Sequence, residues 1–82
     1  TKCRTMPKGK ILRIEVADPC EVNWSFDNWK TKRKNSVSYS GLGMYFLDLN
    51  TKNLNSGDKI TFTFYWTEGN KWENKDYSVE IE

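Results

Sequence analysis

Apolar and polar side chains alternate with a period of two along most of this chain, the spacing of strands with one buried face. From Lys10 to Val16, KILRIEV sets Leu12, Ile14 and Val16 on one face and Arg13 and Glu15 on the other. From Cys20 to Phe26, CEVNWSF gives Cys20, Val22, Trp24 and Phe26 one parity and Glu21, Asn23 and Ser25 the other. Asp18-Pro19 between them is a turn signal. The strongest strand signal is Lys59 to Trp66, where Ile60, Phe62, Phe64 and Trp66 alternate with Thr61, Thr63 and Tyr65. A last strand is predicted over Tyr77 to Ile81. Leu42 to Leu49 is apolar on both parities, which predicts a strand covered on both faces.

No run of ten residues carries a helical apolar stripe, and the connections are rich in Gly, Asn, Asp and Ser. Short strands joined by such turns predict an all-β sandwich or small barrel. The polar stretch from Asp27 to Ser40 is predicted to be one long loop, a length often tied to function. With 82 residues there is room for one domain and little surplus core. Residues 1–82 are therefore expected to form one β-sandwich domain, one module of a longer protein.

Composition changes this picture in two ways. Aromatic residues make up 15% of the chain, so rings not needed in the core are available to a ligand. There is no histidine, which removes the commonest general base and the commonest metal ligand. The net charge of +2 gives a weak overall field, although Lys30, Lys32, Arg33 and Lys34 cluster within five residues. Cys3 and Cys20 could close a modest loop as a disulfide, and Cys20 could equally serve as a small buried hydrophobe. No segment has the length and apolarity of a membrane-spanning helix.

Parity sorts the aromatics. Trp24, Phe26, Phe62, Phe64, Trp66 and Tyr77 are in register with the aliphatic residues of their strands and are predicted to be core. Trp29 and Trp72 are not, since each sits among polar residues with no apolar partner two positions away. An indole in such a place either caps the core or stands exposed. An exposed ring suits a sugar, whose pyranose face offers a row of C–H groups. Its hydroxyls then need planar polar groups, which Asn23, Asn28, Asn70 and Asn74 could supply.

Catalytic chemistry is poorly represented. A glycosidase needs two carboxylates across a cleft, and Asp27 and Glu73 are better read as solvated turn residues. Without histidine there is no Ser-His or Cys-His pair, and no metal constellation is evident. Gly41-Leu42-Gly43 is too short for a phosphate loop.

Two segments together carry a family pattern. Val22-Asn23-Trp24-Ser25-Phe26-Asp27-Asn28-Trp29 resembles the strand-and-turn motif of starch-binding modules, especially carbohydrate-binding module family 25 and its relatives. Tyr65-Trp66-Thr67-Glu68-Gly69-Asn70-Lys71-Trp72-Glu73-Asn74, followed by Asp76-Tyr77-Ser78-Val79, is similar to the family's second signature. The resemblance runs from about Leu12 to Ile81. It implies an immunoglobulin-like antiparallel β-sandwich that binds starch-type α-1,4-glucans without catalysis, needs no cofactor and is attached to a glycoside hydrolase. The expected partners are starch, glycogen or a maltooligosaccharide, and a covalently linked catalytic domain. Secretion or cell-surface display follows if the parent is an amylase-type enzyme; neither a membrane nor a nucleic acid is an expected partner.

In the family a His and two Trp form the sugar platform. The two Trp correspond to Trp29 and Trp72, and Asn23 stands at the His position. Asn28, Asn74 and Lys71 are expected to hydrogen-bond hydroxyls. Two other readings stay open: a ligand-free immunoglobulin-like spacer in a larger enzyme, and a small β-domain binding nucleic acid through Lys30 to Lys34.

Overall fold

The computed structural model describes residues 4–82, an all-β arrangement with no helix among them. Nine strands form among the described residues: β1 (Thr5–Met6), β2 (Ile11–Val16), β3 (Cys20–Ser25), β4 (Arg33–Ser36), β5 (Ser38–Tyr39), β6 (Tyr45–Asn50), β7 (Lys59–Trp66), β8 (Lys71–Trp72) and β9 (Tyr77–Ile81). The first sheet has the order β1-β9-β7-β3-β4, with β8 also pairing β7. It is mixed, because β1 runs parallel to β9. The second sheet, β2-β6-β5, is antiparallel.

The chain passes between the sheets several times. The turn at Asp18-Pro19 carries it from β2 into β3. Half-buried Val37 carries it from β4 to β5, and its N–H donates to the Cys20 carbonyl at 3.3 Å. The inward side chains of the two sheets meet in one core. Ile14, Val16 and Leu49 come from the second sheet, and Val22, Ile60, Phe62, Phe64, Val79 and Ile81 from the first. The alternation read from sequence accounts for all of these positions except Leu49, whose segment is apolar on both parities. Leu12, Trp24, Trp66 and Tyr77 pack against them, partly buried.

Four features depart from the sequence reading. Phe26 is not core: β3 ends at Ser25, and Phe26 lies exposed beside Trp24 with the Arg33 guanidinium 5.2 Å over its ring. The stretch from Asp27 to Ser40 is not one loop but a turn followed by β4 and β5. Strand β4 is wholly exposed RKNS at a sheet edge, so no apolar face marked it. Leu42 belongs to a hairpin tip, not a strand, and is 89% exposed between Gly41 and Gly43, whose positive φ angles make the turn. Strand β6 turns only Tyr45, Leu47 and Leu49 to the core. On its other face Phe46 is covered by the Arg13 guanidinium at 4.4 Å, and Arg13 also grips Asp48 with two hydrogen bonds of 2.8 and 2.9 Å.

Cys3 lies outside the described residues, and with it the pairing to Cys20. Cys20 itself is a buried free thiol. Burial first, and Asp18 second, push its pKa up to about 11, so it stays protonated at neutral pH. Peptide mapping after iodoacetamide treatment should find Cys20 far less labelled in the native protein than in urea. Ile60 is 1% exposed at the centre of the core. Ile60→Ala should lower stability by about 3 kcal/mol, read as a drop in the urea midpoint at constant m-value.

Candidate functional site

Strand β3 points Val22 into the core and Asn23 and Ser25 to the opposite face of the sheet. Outward side chains normally meet water. Here Asn23 is 2% and Ser25 1% exposed, so something covers that face. The cover comes from the turn before β4 and from β8.

The turn is organised by one hydroxyl and one carboxylate. Ser25 Oγ donates to Asp27 Oδ1 at 2.7 Å and accepts the backbone N–H groups of Asp27 at 3.2 Å and Trp29 at 3.0 Å. Asp27 Oδ1 also accepts the Thr31 N–H at 2.9 Å. Hydrogen bonding from Ser25, then from Thr31, lowers the Asp27 pKa to about 2. Within this frame Asn28 and Trp29 both take left-handed backbone conformations, with φ of 60° and 66°. Asn tolerates that region; a bulky aromatic does so only where its surroundings enforce it. The double turn brings half-buried Trp29 back to the sheet beside Asn23.

The second wall follows from register. Trp72 pairs with Tyr65, so it shares the outward face of β7, and the two rings meet edge to face at 5.0 Å. The tight reversal that returns the chain uses Gly69 and Asn70 at positive φ, and Asn70 Oδ1 accepts the Tyr65 hydroxyl at 3.1 Å. Beyond β8, Asn74 at φ 59° turns the chain away from the ladder. Thr63 Oγ1 donates to the Lys75 carbonyl at 2.8 Å, which fixes the segment carrying Asp76.

Asn23, Trp29, Lys32, Thr63, Trp72 and Asp76 together line a cavity of about 350 Å³. Trp72 is 43% exposed, and the Lys32 ammonium lies 5.5 Å over its ring. Asn23 contributes a buried amide nitrogen with no hydrogen-bond partner. An unmet buried donor costs about 1–3 kcal/mol, and an acceptor entering the cavity would recover it. A larger opening of about 710 Å³ runs along β2 and β9 over Leu12, Phe62, Phe64 and Tyr77. Its lining also carries Arg13, Glu15, Lys59 and Lys75, but no unpartnered buried polar side-chain atom among the described residues.

Of the residues expected from sequence, the cavity gathers Trp29, Trp72 and Asn23. It does not gather Asn28, Asn74 or Lys71. Asn28 and Asn74 serve the backbone at positive φ, where an amide residue is well tolerated. Lys71 pairs with Trp66, so alternation sends it to the face opposite Trp72, toward Asp18 and Pro19. Lys32, Thr63 and Asp76 were missed. Thr63 was accessible from parity, since it lies opposite Asn23 in the ladder. Lys32 was noted only within the basic cluster from Lys30 to Lys34, and nothing local marked Asp76. The two carboxylates weighed as catalytic are both engaged. Asp27 holds its turn, and Glu73 accepts Trp66 Nε1 at 2.9 Å and the Tyr77 hydroxyl at 2.6 Å.

No family model, no curated protein and no solved structure matches this chain.

The depressed Asp27 pKa sets a pH window. The support that the carboxylate gives the turn is complete above the ordinary aspartate range, near pH 4, and is lost as pH falls through about 2. The Trp29 and Thr31 amide resonances should therefore hold steady from neutral pH to about pH 4 and shift below it. In Asp27→Asn they should already be displaced at pH 7 and show no acid transition.

Proposed function

We propose that this chain is a non-catalytic module that binds α-1,4-glucan by stacking sugar rings on Trp29 and Trp72. The observation that carries the reading is the convergence of both indoles on a buried, unpartnered Asn23 amide in one cavity. Apolar walls with a few fixed polar groups are the usual makeup of a small-molecule site. The Asn23 amide donates to a sugar oxygen, Asp76 accepts from a hydroxyl, and Trp72 offers the more exposed ring face. The resemblance to starch-binding modules of family 25 and its relatives, carried by the segments around Trp29 and Trp72, assigns the same three positions to the sugar platform, with Asn23 in place of the family's His.

In this reading the two sheets are the layers of an immunoglobulin-like sandwich, supported by their shared core. The module tethers a linked glycoside hydrolase to starch or glycogen and raises local substrate concentration without performing chemistry. Engagement of Asp27 and Glu73 in structural hydrogen bonds supports a binding role over a hydrolytic one. Sites of this size on an open sheet face bind weakly one at a time.

Titration with maltoheptaose should quench or shift tryptophan fluorescence in a saturable way. Trp72→Ala should weaken binding about tenfold or more, each factor of ten being about 1.4 kcal/mol, with little loss of thermal stability. Trp29→Ala should weaken binding at least as much and also lower the melting temperature, because Trp29 helps cover Asn23. Silence of the wild-type protein toward maltoheptaose, soluble starch and glycogen alike would sink the proposal. A Trp72→Ala protein that fails to fold would favour the ligand-free spacer.

A further inference from the structure

Lys32 fits poorly with a neutral ligand. Its ammonium sits 5.5 Å over the Trp72 ring, the surface on which a pyranose would stack. It belongs to no ion pair among the described residues, where the ion pair formed is Arg13 with Asp48. Lys34 lies opposite Asn23 in the β3–β4 ladder and so shares the face of the cavity. Asp27, the acidic residue of the adjoining turn, is held by Ser25 and Thr31. Asp76 is the one carboxylate in the lining, set against Lys32 within it and Lys34 on the same face. The cavity thus offers the Lys32 ammonium and the unpartnered, 98% buried Asn23 donor to whatever enters, with Lys34 beside it on the same face of the sheet.

Building on the glucan reading above, we propose that the preferred ligand is an α-glucan carrying a phosphate monoester, with Lys32 and Lys34 holding the phosphate. A neutral glucan stacking on Trp72 displaces the Lys32 ammonium and forfeits its cation–π contact. A phosphate at the edge of the stacked sugar gives that ammonium a stronger, charge-assisted partner as it swings off the ring. The flexible lysine stem permits the swing, and a compact ammonium suits a phosphate without fixed orientation. Lys32 is then a specificity-determining residue: it disfavours neutral sugar and favours the ester. The aromatic platform and the Asn23 donor serve both ligands.

The experiment compares maltoheptaose with a singly phosphorylated maltoheptaose by tryptophan fluorescence at low and high salt, using wild type, Lys32→Gln and Lys32→Arg. The ester should bind wild type about tenfold more tightly at low salt, and the preference should shrink at high salt as ions screen the exposed charges. Lys32→Gln should lose most of the preference and bind neutral maltoheptaose more tightly than wild type. Lys32→Arg should keep the preference. Equal binding of both sugars by wild type overturns this inference and leaves the glucan reading standing. A preference that survives in Lys32→Gln also overturns it. If neither sugar binds, both readings fall together. Tighter binding of single-stranded DNA than of the glucan phosphate overturns it in favour of a nucleic-acid role for the basic strand.

Discussion

Asn23 lies opposite Thr63, and Val22 lies opposite Phe64, in the ladder that joins β3 to β7. Because strand side chains alternate, slipping β3 by one residue would reverse its faces. The amide would then enter the hydrophobic core, and Val22 would sit under the two indoles. The same ladder sets Trp72, since β8 pairs with the end of β7 and inherits its orientation through Tyr65. Core and cavity are therefore two faces of one pairing register. The apolar parity holds that register, because Val22, Ile60, Phe62 and Phe64 all need the inner side.

What the register does not decide is whether the outer face is covered. That depends on a few polar contacts after β3. Ser25 is buried and satisfied by the turn it organises, and Asp27 closes the far side. The carboxylate is only half-buried, so its worth lies in directing hydrogen bonds rather than in a buried charge. These bonds hold an aromatic residue in a left-handed conformation that it would seldom choose. The turn is thus coupled to the sheet through an outward serine at the last position of the strand.

The sequence exposed much of this, and the reasons for its failures are physical. Period-two patterning located β2, β3, β7 and β9, because each has one face in the core. It missed β4 and β8, which are exposed on both parities, and β1 and β5, which have two residues each. Phe26 kept the parity of its strand but lay one residue past its end, where alternation no longer implies burial. Trp29 and Trp72 stood out because their neighbours are polar; that same polarity hid Asp76 among many similar residues and left Lys32 undistinguished within its basic cluster. Lys71 failed for a geometric reason: adjacent residues on a strand face opposite ways, so Lys71 and Trp72 cannot both reach one cavity. Asn28 and Asn74 were read as ligand groups from their amides, when their backbone freedom is what the turns use.

The energetics explain why the outer face invites a functional reading at all. A domain of this size is stable by roughly 5–15 kcal/mol, and an unmet buried amide donor can cost about 1–3 of that. A strained residue such as Trp29 adds a cost of about 1–3 kcal/mol. Fold stability alone would favour a small apolar or hydroxyl side chain at position 23 and a glycine at position 29. Each would remove a feature of the cavity: a donor at its floor, or a ring at its wall. Both costs fall on one cavity, while the core opposite is assembled from ordinary aliphatic and aromatic packing. Such local conflict with stability is where an inference from structure to binding has its firmest physical footing.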